Sequence, residues 1–130
     1  MKKDIVYFNT ANTTMPYNQH LSDRIETYLQ QKKVPNEPKM MMGGLAYMVD
    51  DKMCVGIIKD SLMVRIAPED YDAALLKPGC RQMDFTGRVL KGFVMVDPEG
   101  IDMDKDLAYW IDLALEFNPR ARSSKSKKKK

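Results

Sequence analysis

Cys80 follows Pro78-Gly79 and stands directly before Arg81. A cationic neighbour is one way to lower a thiol pKa toward a nucleophilic thiolate. Catalysis by such a thiolate also needs a general base and donors for a developing oxyanion. The single histidine, His20, lies far upstream on a predicted helix, a setting in which surface or capping duty is the commoner use. Cys54 falls mid-strand in the apolar run MCVGIIK and reads as a small hydrophobe. The two cysteines are in no metal-ligand spacing. Asp102, Asp104 and Asp106 alternate as D-x-D-x-D, like the opening of a calcium loop, but the position such a loop reserves for glycine is Leu107. Acids at a helix start account for them better. Asp50-Asp51 offer two carboxylates where Ca²⁺ takes six or more oxygens, and they read as turn chemistry. The expectation is therefore no catalytic residue, no cofactor and no metal: a non-enzymatic binding module, with a small enzyme as the remote alternative.

Met40-Met41-Met42 precede Gly43-Gly44. Thioethers favour Cu(I), but a useful site needs convergent ligands, usually with cysteine or histidine nearby. With 11 methionines along the chain, core filling is the more general account. The glycines precede a strand, whereas a phosphate loop follows a strand and opens a helix. They are expected to serve the backbone, by positive φ, a bulge or close approach of another strand.

These residues need a frame to hold them. A chain of 130 residues with 44% apolar content can form one domain with its own core. No apolar run approaches the roughly 20 residues that span a bilayer, and the N-terminus has no apolar signal segment. A cytoplasmic location with reduced thiols and no membrane partner is expected. The net charge of +3 is unevenly spread. Residues 119–130 contain Arg120, Arg122, Lys125, Lys127, Lys128, Lys129 and Lys130 and no acid; the rest has 14 bases against 18 acids, a body of −4. Such a tail has too little apolar surface to offset the entropy of ordering, so the reading is an N-terminal segment 1–13, a domain 14–118 and a disordered basic tail 119–130.

Within the domain, Thr14-Met15-Pro16 is the expected start of a first helix, with Tyr17, Leu21, Ile25, Tyr28 and Leu29 at helical spacing and a stop before VPNEP. The period then changes to two. Leu45, Tyr47 and Val49 mark one strand; Met53, Val55 and Ile57 mark one face of a second; Leu62, Val64 and Ile66 mark a third, with Arg65 facing the other way. A short helix follows Ala67-Pro68, then strands RQMDF and VLKGFVMV. A last helix, capped by Asp102 or Asp104, aligns Leu107, Trp110, Ile111, Ala114 and Leu115. The order α-βββ-α-ββ-α predicts an α+β two-layer sandwich: a five-stranded antiparallel sheet with helices on one face.

Four stretches carry a family likeness. M-M-G-G-x-x-Y-x-x-D-x-x-M at Met41–Met53 runs into I-x-x-D-x-L-x-V-R at Ile57–Arg65, and K-G-F-V-x-V-x-P at Lys91–Pro98 precedes L-x-x-W-I at Leu107–Ile111. The chain resembles the N-terminal domain of the TfoX/Sxy family of bacterial competence regulators over residues 18–118. Met42 stands where the family usually has phenylalanine. The resemblance implies an α-β(3)-α-β(2)-α fold like that of secretion chaperones, and structural roles for Met41, Met42, Gly43, Gly44, Tyr47 and Trp110. It also implies the duty of a non-enzymatic coactivator, in some bacteria beside the cyclic-AMP receptor protein at promoters. Family members usually add a C-terminal helical domain; here a lysine tail follows the last predicted helix.

Partners follow from charge and exposure. Arg65, and Lys91 with it, mark a sheet face available to a protein partner or to single-stranded nucleic acid. The basic tail is a candidate for weak, non-specific nucleic-acid contact. An edge strand or open sheet face makes a homodimer an expectation too.

Overall fold

Asn18 starts the first helix, α1 (Gln19–Gln31). Its side-chain oxygen accepts the Leu21 N–H at 3.0 Å, satisfying a donor that a helix N-terminus leaves free. The helix thus begins later than Thr14-Met15-Pro16, which lie outside the residues described by this computed structural model, 17–41, 43–85 and 87–122. Tyr17 precedes the helix and bridges to Lys59. The C-terminus has its own stop before Pro35. Lys33 takes φ +59°, and the Lys33 and Val34 N–H groups donate to the carbonyls of Gln30 and Leu29, each at 3.0 Å. This is a Schellman motif, and Val34 packs against the core.

Six antiparallel strands form one sheet: β1 (Glu37–Met41), β2 (Gly44–Val49), β3 (Lys52–Ile58), β4 (Ser61–Arg65), β5 (Cys80–Phe85) and β6 (Arg88–Val96), in the spatial order β1-β2-β3-β4-β6-β5. The expected five strands are corrected to six, and the order to α-ββββ-α-ββ-α. The additional strand is β1, paired with β2 from Glu37 opposite Met48 to Met41 opposite Gly44. Pro38 lies within it, opposite Tyr47. On an edge strand its missing N–H costs no ladder bond, and four of the five β1 residues are exposed, so no hydrophobic alternation announces the strand.

Asp50 and Asp51 turn the β2–β3 hairpin with φ +56° and +63°, the left-handed pair that matches strand twist in a two-residue loop. The β2–β3 register then shifts: Tyr47 faces Val55 but Met48 faces Met53, leaving Cys54 as the extra residue of a bulge. One extra residue reverses which face the strand presents. Met53 consequently leaves the face of Val55 and Ile57, where strict alternation had placed it.

All three helices cover one face. Leu21, Ile25 and Leu29 of α1, Tyr71 and Ala74 of α2 (Tyr71–Leu75), and Leu107, Trp110, Ile111 and Ala114 of α3 (Asp104–Phe117) pack with strand residues of that face, including Tyr47, Val55, Leu62, Val64, Val94 and Val96. Each fully buried large side chain contributes roughly 1.5–3 kcal/mol by removal from water. The cap of α3 is Met103, with no side-chain cap bond, rather than Asp102 or Asp104. Asp104 instead sits in the first turn and accepts from Arg24 at 3.3 Å. Beyond α3, Asn118–Arg120 form a 3-10 turn, Ala121 is buried, and Arg120 pairs with Glu69. Arg120 and Ala121 thus touch the folded body.

Candidate functional site

The residues singled out for chemistry do not converge. Cys54 is buried in the β3 bulge, and burial pushes its thiol up to about 12. Cys80 begins β5; burial, with Asp97 adding to it, pushes its thiol up to about 11. Arg81 does not activate it, because Arg81 is engaged by Asp97 at 3.0 Å. His20 is exposed on α1 and lines a shallow groove of about 430 Å³ with Asp23, Arg24, Tyr28 and Leu107. Arg24 is held there by the Ile101 carbonyl at 2.8 Å and by Asp104. Among the described residues, no three His, Cys, Asp or Glu side chains gather as a cation site.

Of the family-motif residues, Gly43 and Gly44 serve the backbone and Tyr47 and Trp110 the core. Gly43 has φ +79° with open space around it, so it supplies the left-handed turn into β2. Gly44 supplies the close approach: a Cβ there would collide with the Ile57 carbonyl oxygen. Tyr47 and Trp110 are core residues. Met41 is half-buried on β1, and Met42 lies outside the described residues. The tail candidates divide. Arg120 is spent on Glu69 and stacks on Phe117, Arg122 is exposed, and Lys125, Lys127, Lys128, Lys129 and Lys130 lie outside the described residues.

Convergence occurs instead on the face that none of the described helices covers. Strand alternation sends Leu62 and Val64 toward the helices and leaves Met63 and Arg65 on the far side. The neighbouring strand does the same, so Met63 stands opposite Met95 and Arg65 opposite Phe93. Met63, Met83 and Met95 form a buried cluster, and Met53, Ile58, Leu90 and Phe93 pack against it while half-exposed. Gly56 makes room for it: the Met63 methyl lies 2.5 Å from where a Gly56 Cβ would stand. Arg65 is half-buried beside this cluster. Its guanidinium carbon lies 5.6 Å from the Phe93 ring centroid, within cation–π range. Its one hydrogen bond among the described residues is a long one, Nη1 to the Met53 carbonyl at 3.5 Å. Burial lowers the Arg65 pKa, though a guanidinium stays charged in proteins.

The sequence reading placed Arg65 on this face but not the methionines around it. Alternation alone assigns Met63 and Met95 to the side away from Val64 and Val94. Met53 was hidden by the bulge, and Met83 by a β5–β6 register that jumps from Gln82 opposite Val94 to Asp84 opposite Val89.

An antiparallel sheet with the described helices on one face and a buried methionine cluster on the other defines an open-sheet α+β fold. The chain belongs to the TfoX N-terminal domain family, whose model matches residues 28–118. A search of curated proteins returns no match to it.

Proposed function

We propose that this chain is a cytoplasmic, non-enzymatic regulatory module of the TfoX N-terminal type that works by binding a protein partner. The helix-free sheet face carries this reading. Half-exposed Met53, Ile58, Leu90 and Phe93 lie over the buried methionine cluster, and Arg65 stacks on Phe93, a lining that adapts to a partner's side chains. Two further observations support it. Neither thiol is prepared as a nucleophile near neutral pH, and no described helix is long and apolar enough to cross a membrane.

The seven-base run at residues 119–130 favours a second reading, weak nucleic-acid contact through the tail. Affinity capture from cell extract, with and without nuclease, separates the two. The bait is used as the full chain and as a chain ending at residue 122. A captured protein that survives nuclease, is retained by the shortened chain and rebinds once purified supports the protein-binding reading. Capture that vanishes with nuclease or with the tail transfers the function to nucleic acid.

A further inference from the structure

We infer that the helix-free face receives a peptide segment bearing one carboxylate between apolar side chains, with the carboxylate on Arg65 and the apolar groups on Met53, Leu90 and Phe93. This rests on the protein-binding reading above and names the chemistry of the contact. The arginines of the fold supply the contrast. Arg24 meets Asp104, Arg81 meets Asp97 and Arg120 meets Glu69, and Arg88 and Arg122 are exposed to water, whereas Arg65 is half-buried and meets no carboxylate among the described residues. A partly desolvated charge without a counterion is costly, and removing one partner of a buried pair shows how costly. A guanidinium has five N–H donors in a planar fork, of which Arg65 uses one among the described residues, in a long bond. Phe93 holds the fork from one side, a pre-organisation that lowers the entropy lost when a carboxylate docks bidentately.

The surroundings decide between peptide and nucleic acid. A polyanion is held by several cations acting together; Lys91, two residues before Phe93 on the same face, stands exposed in water, while Arg65 is the cation held half-buried against the apolar cluster. The body also has a charge of −4 without the tail, which repels a nucleic-acid strand and tolerates a single carboxylate placed on Arg65.

The test uses random 12-residue peptides displayed on phage, selected on the full chain and counter-selected on Arg65→Met. Enriched peptides are then measured by fluorescence anisotropy. The expected consensus is one Asp or Glu flanked by Leu, Ile, Met or Phe. Their affinity should fall roughly ten- to a hundred-fold with Arg65→Met, the range of a charged hydrogen bond. Arg65→Lys, which keeps the charge and loses the fork, should give a smaller loss and covers the case in which Arg65→Met folds poorly. Replacing the peptide's acid by its amide should cost as much as Arg65→Met, and the two changes together should cost little more than either alone. Peptides without an acid, or equal binding by the variants, overturn the inference. A 12-residue oligo-dT whose binding is lost with Arg65→Met assigns the face to nucleic acid, and a dimer that dissociates with Arg65→Met assigns it to a second copy; both overturn it. A nuclease-resistant partner captured equally by Arg65→Met leaves the binding-module reading standing and this inference failed. Finding no such partner at all fails the reading itself.

Discussion

The Ser22 hydroxyl and the Tyr47 hydroxyl lie 2.7 Å apart in the core, joining α1 to β2 where apolar contacts otherwise dominate. The Glu26 carboxylate accepts from Tyr47 at 3.0 Å and from Ser22 at 3.4 Å, so the three side chains form one network. Burial is the largest cause raising the Tyr47 pKa, and Glu26 adds to it. A phenol protonated in the folded state, but ionising near pH 10 when unfolded, contributes stability that is present below about pH 10 and is lost as pH rises beyond it. Tyr47→Phe should cost about 1–3 kcal/mol at neutral pH, from the hydrogen bonds to Ser22 and Glu26. It should also flatten part of the decline in stability above about pH 10. Urea unfolding of both proteins between pH 7 and 11 (roughly the window around the tyrosine value) checks both statements. A parallel decline in the two would reject the role assigned to Tyr47.

Thiol labelling tests the absence of a prepared nucleophile. With Cys54 pushed to about 12 and Cys80 to about 11, neither holds an appreciable thiolate fraction near pH 7. Iodoacetamide should modify native protein far more slowly than urea-unfolded protein, with half-exposed Cys80 reacting before buried Cys54 and both rates rising with pH. Fast labelling of Cys80 at neutral pH would restore a catalytic candidate that the structure argues against.

Gly43 and Gly44 should respond differently to a methyl group. Gly43→Ala meets open space and pays only for the left-handed conformation, about 1–2 kcal/mol. Gly44→Ala collides with the Ile57 carbonyl in the neighbouring strand; a shift of β2 against β3 is required, on the order of 1–3 kcal/mol or more. Denaturant midpoints rank the two. The reverse ranking would show that the β2–β3 approach is looser than the structure has it.

Some of this arrangement was legible in the residues and some was not, for physical reasons. The glycines were readable because few other uses explain two of them before a strand. The α3 stripe of Leu107, Trp110, Ile111 and Ala114 was readable because an amphipathic helix writes its face at a fixed period. Edge strand β1 was not, since a mostly exposed segment with Pro38 has no alternation to detect. The methionine cluster was invisible as a cluster. Met53, Met63, Met83 and Met95 come from four strands; the β5–β6 register among those that join them is irregular, and the face of Met53 is set by the bulge against β2. Local pattern gives a residue's face, but its neighbours across the sheet depend on bulges that a single sequence does not reveal.

Trp110 is buried at 2% exposure, edge-on to Tyr109 with ring centroids 5.1 Å apart. Trp110→Ala should cost roughly 3–5 kcal/mol by lost burial and the cavity left behind. Calorimetric or urea unfolding showing a loss under about 1 kcal/mol, far short of that range, would contradict this packing.

The last prediction concerns where the body ends. Truncation after residue 122 should leave thermal unfolding where it is in the full chain. Truncation after 118 removes Pro119, the Arg120 side chain that pairs with Glu69 and stacks on Phe117, and buried Ala121. It also exposes the end of α3 and removes neighbours from Asn118, whose backbone carbonyl accepts from Lys52 at 3.2 Å. A drop in Tm of a few degrees, about what 1 kcal/mol produces in a domain this size, should separate the two truncations. The same pair dissects nucleic-acid contact. With Arg120 occupied by Glu69, six of the seven tail bases are left to meet phosphates, so duplex binding should have a log–log salt slope no steeper than about −5. Loss of that binding on truncation after 122, with Tm unchanged, would place the contact on residues 123–130. Binding that survives the truncation would refute the tail reading and direct attention to the exposed cations of the folded body. Equal Tm for the two truncations would show that Arg120 and Ala121 add nothing to the fold they touch.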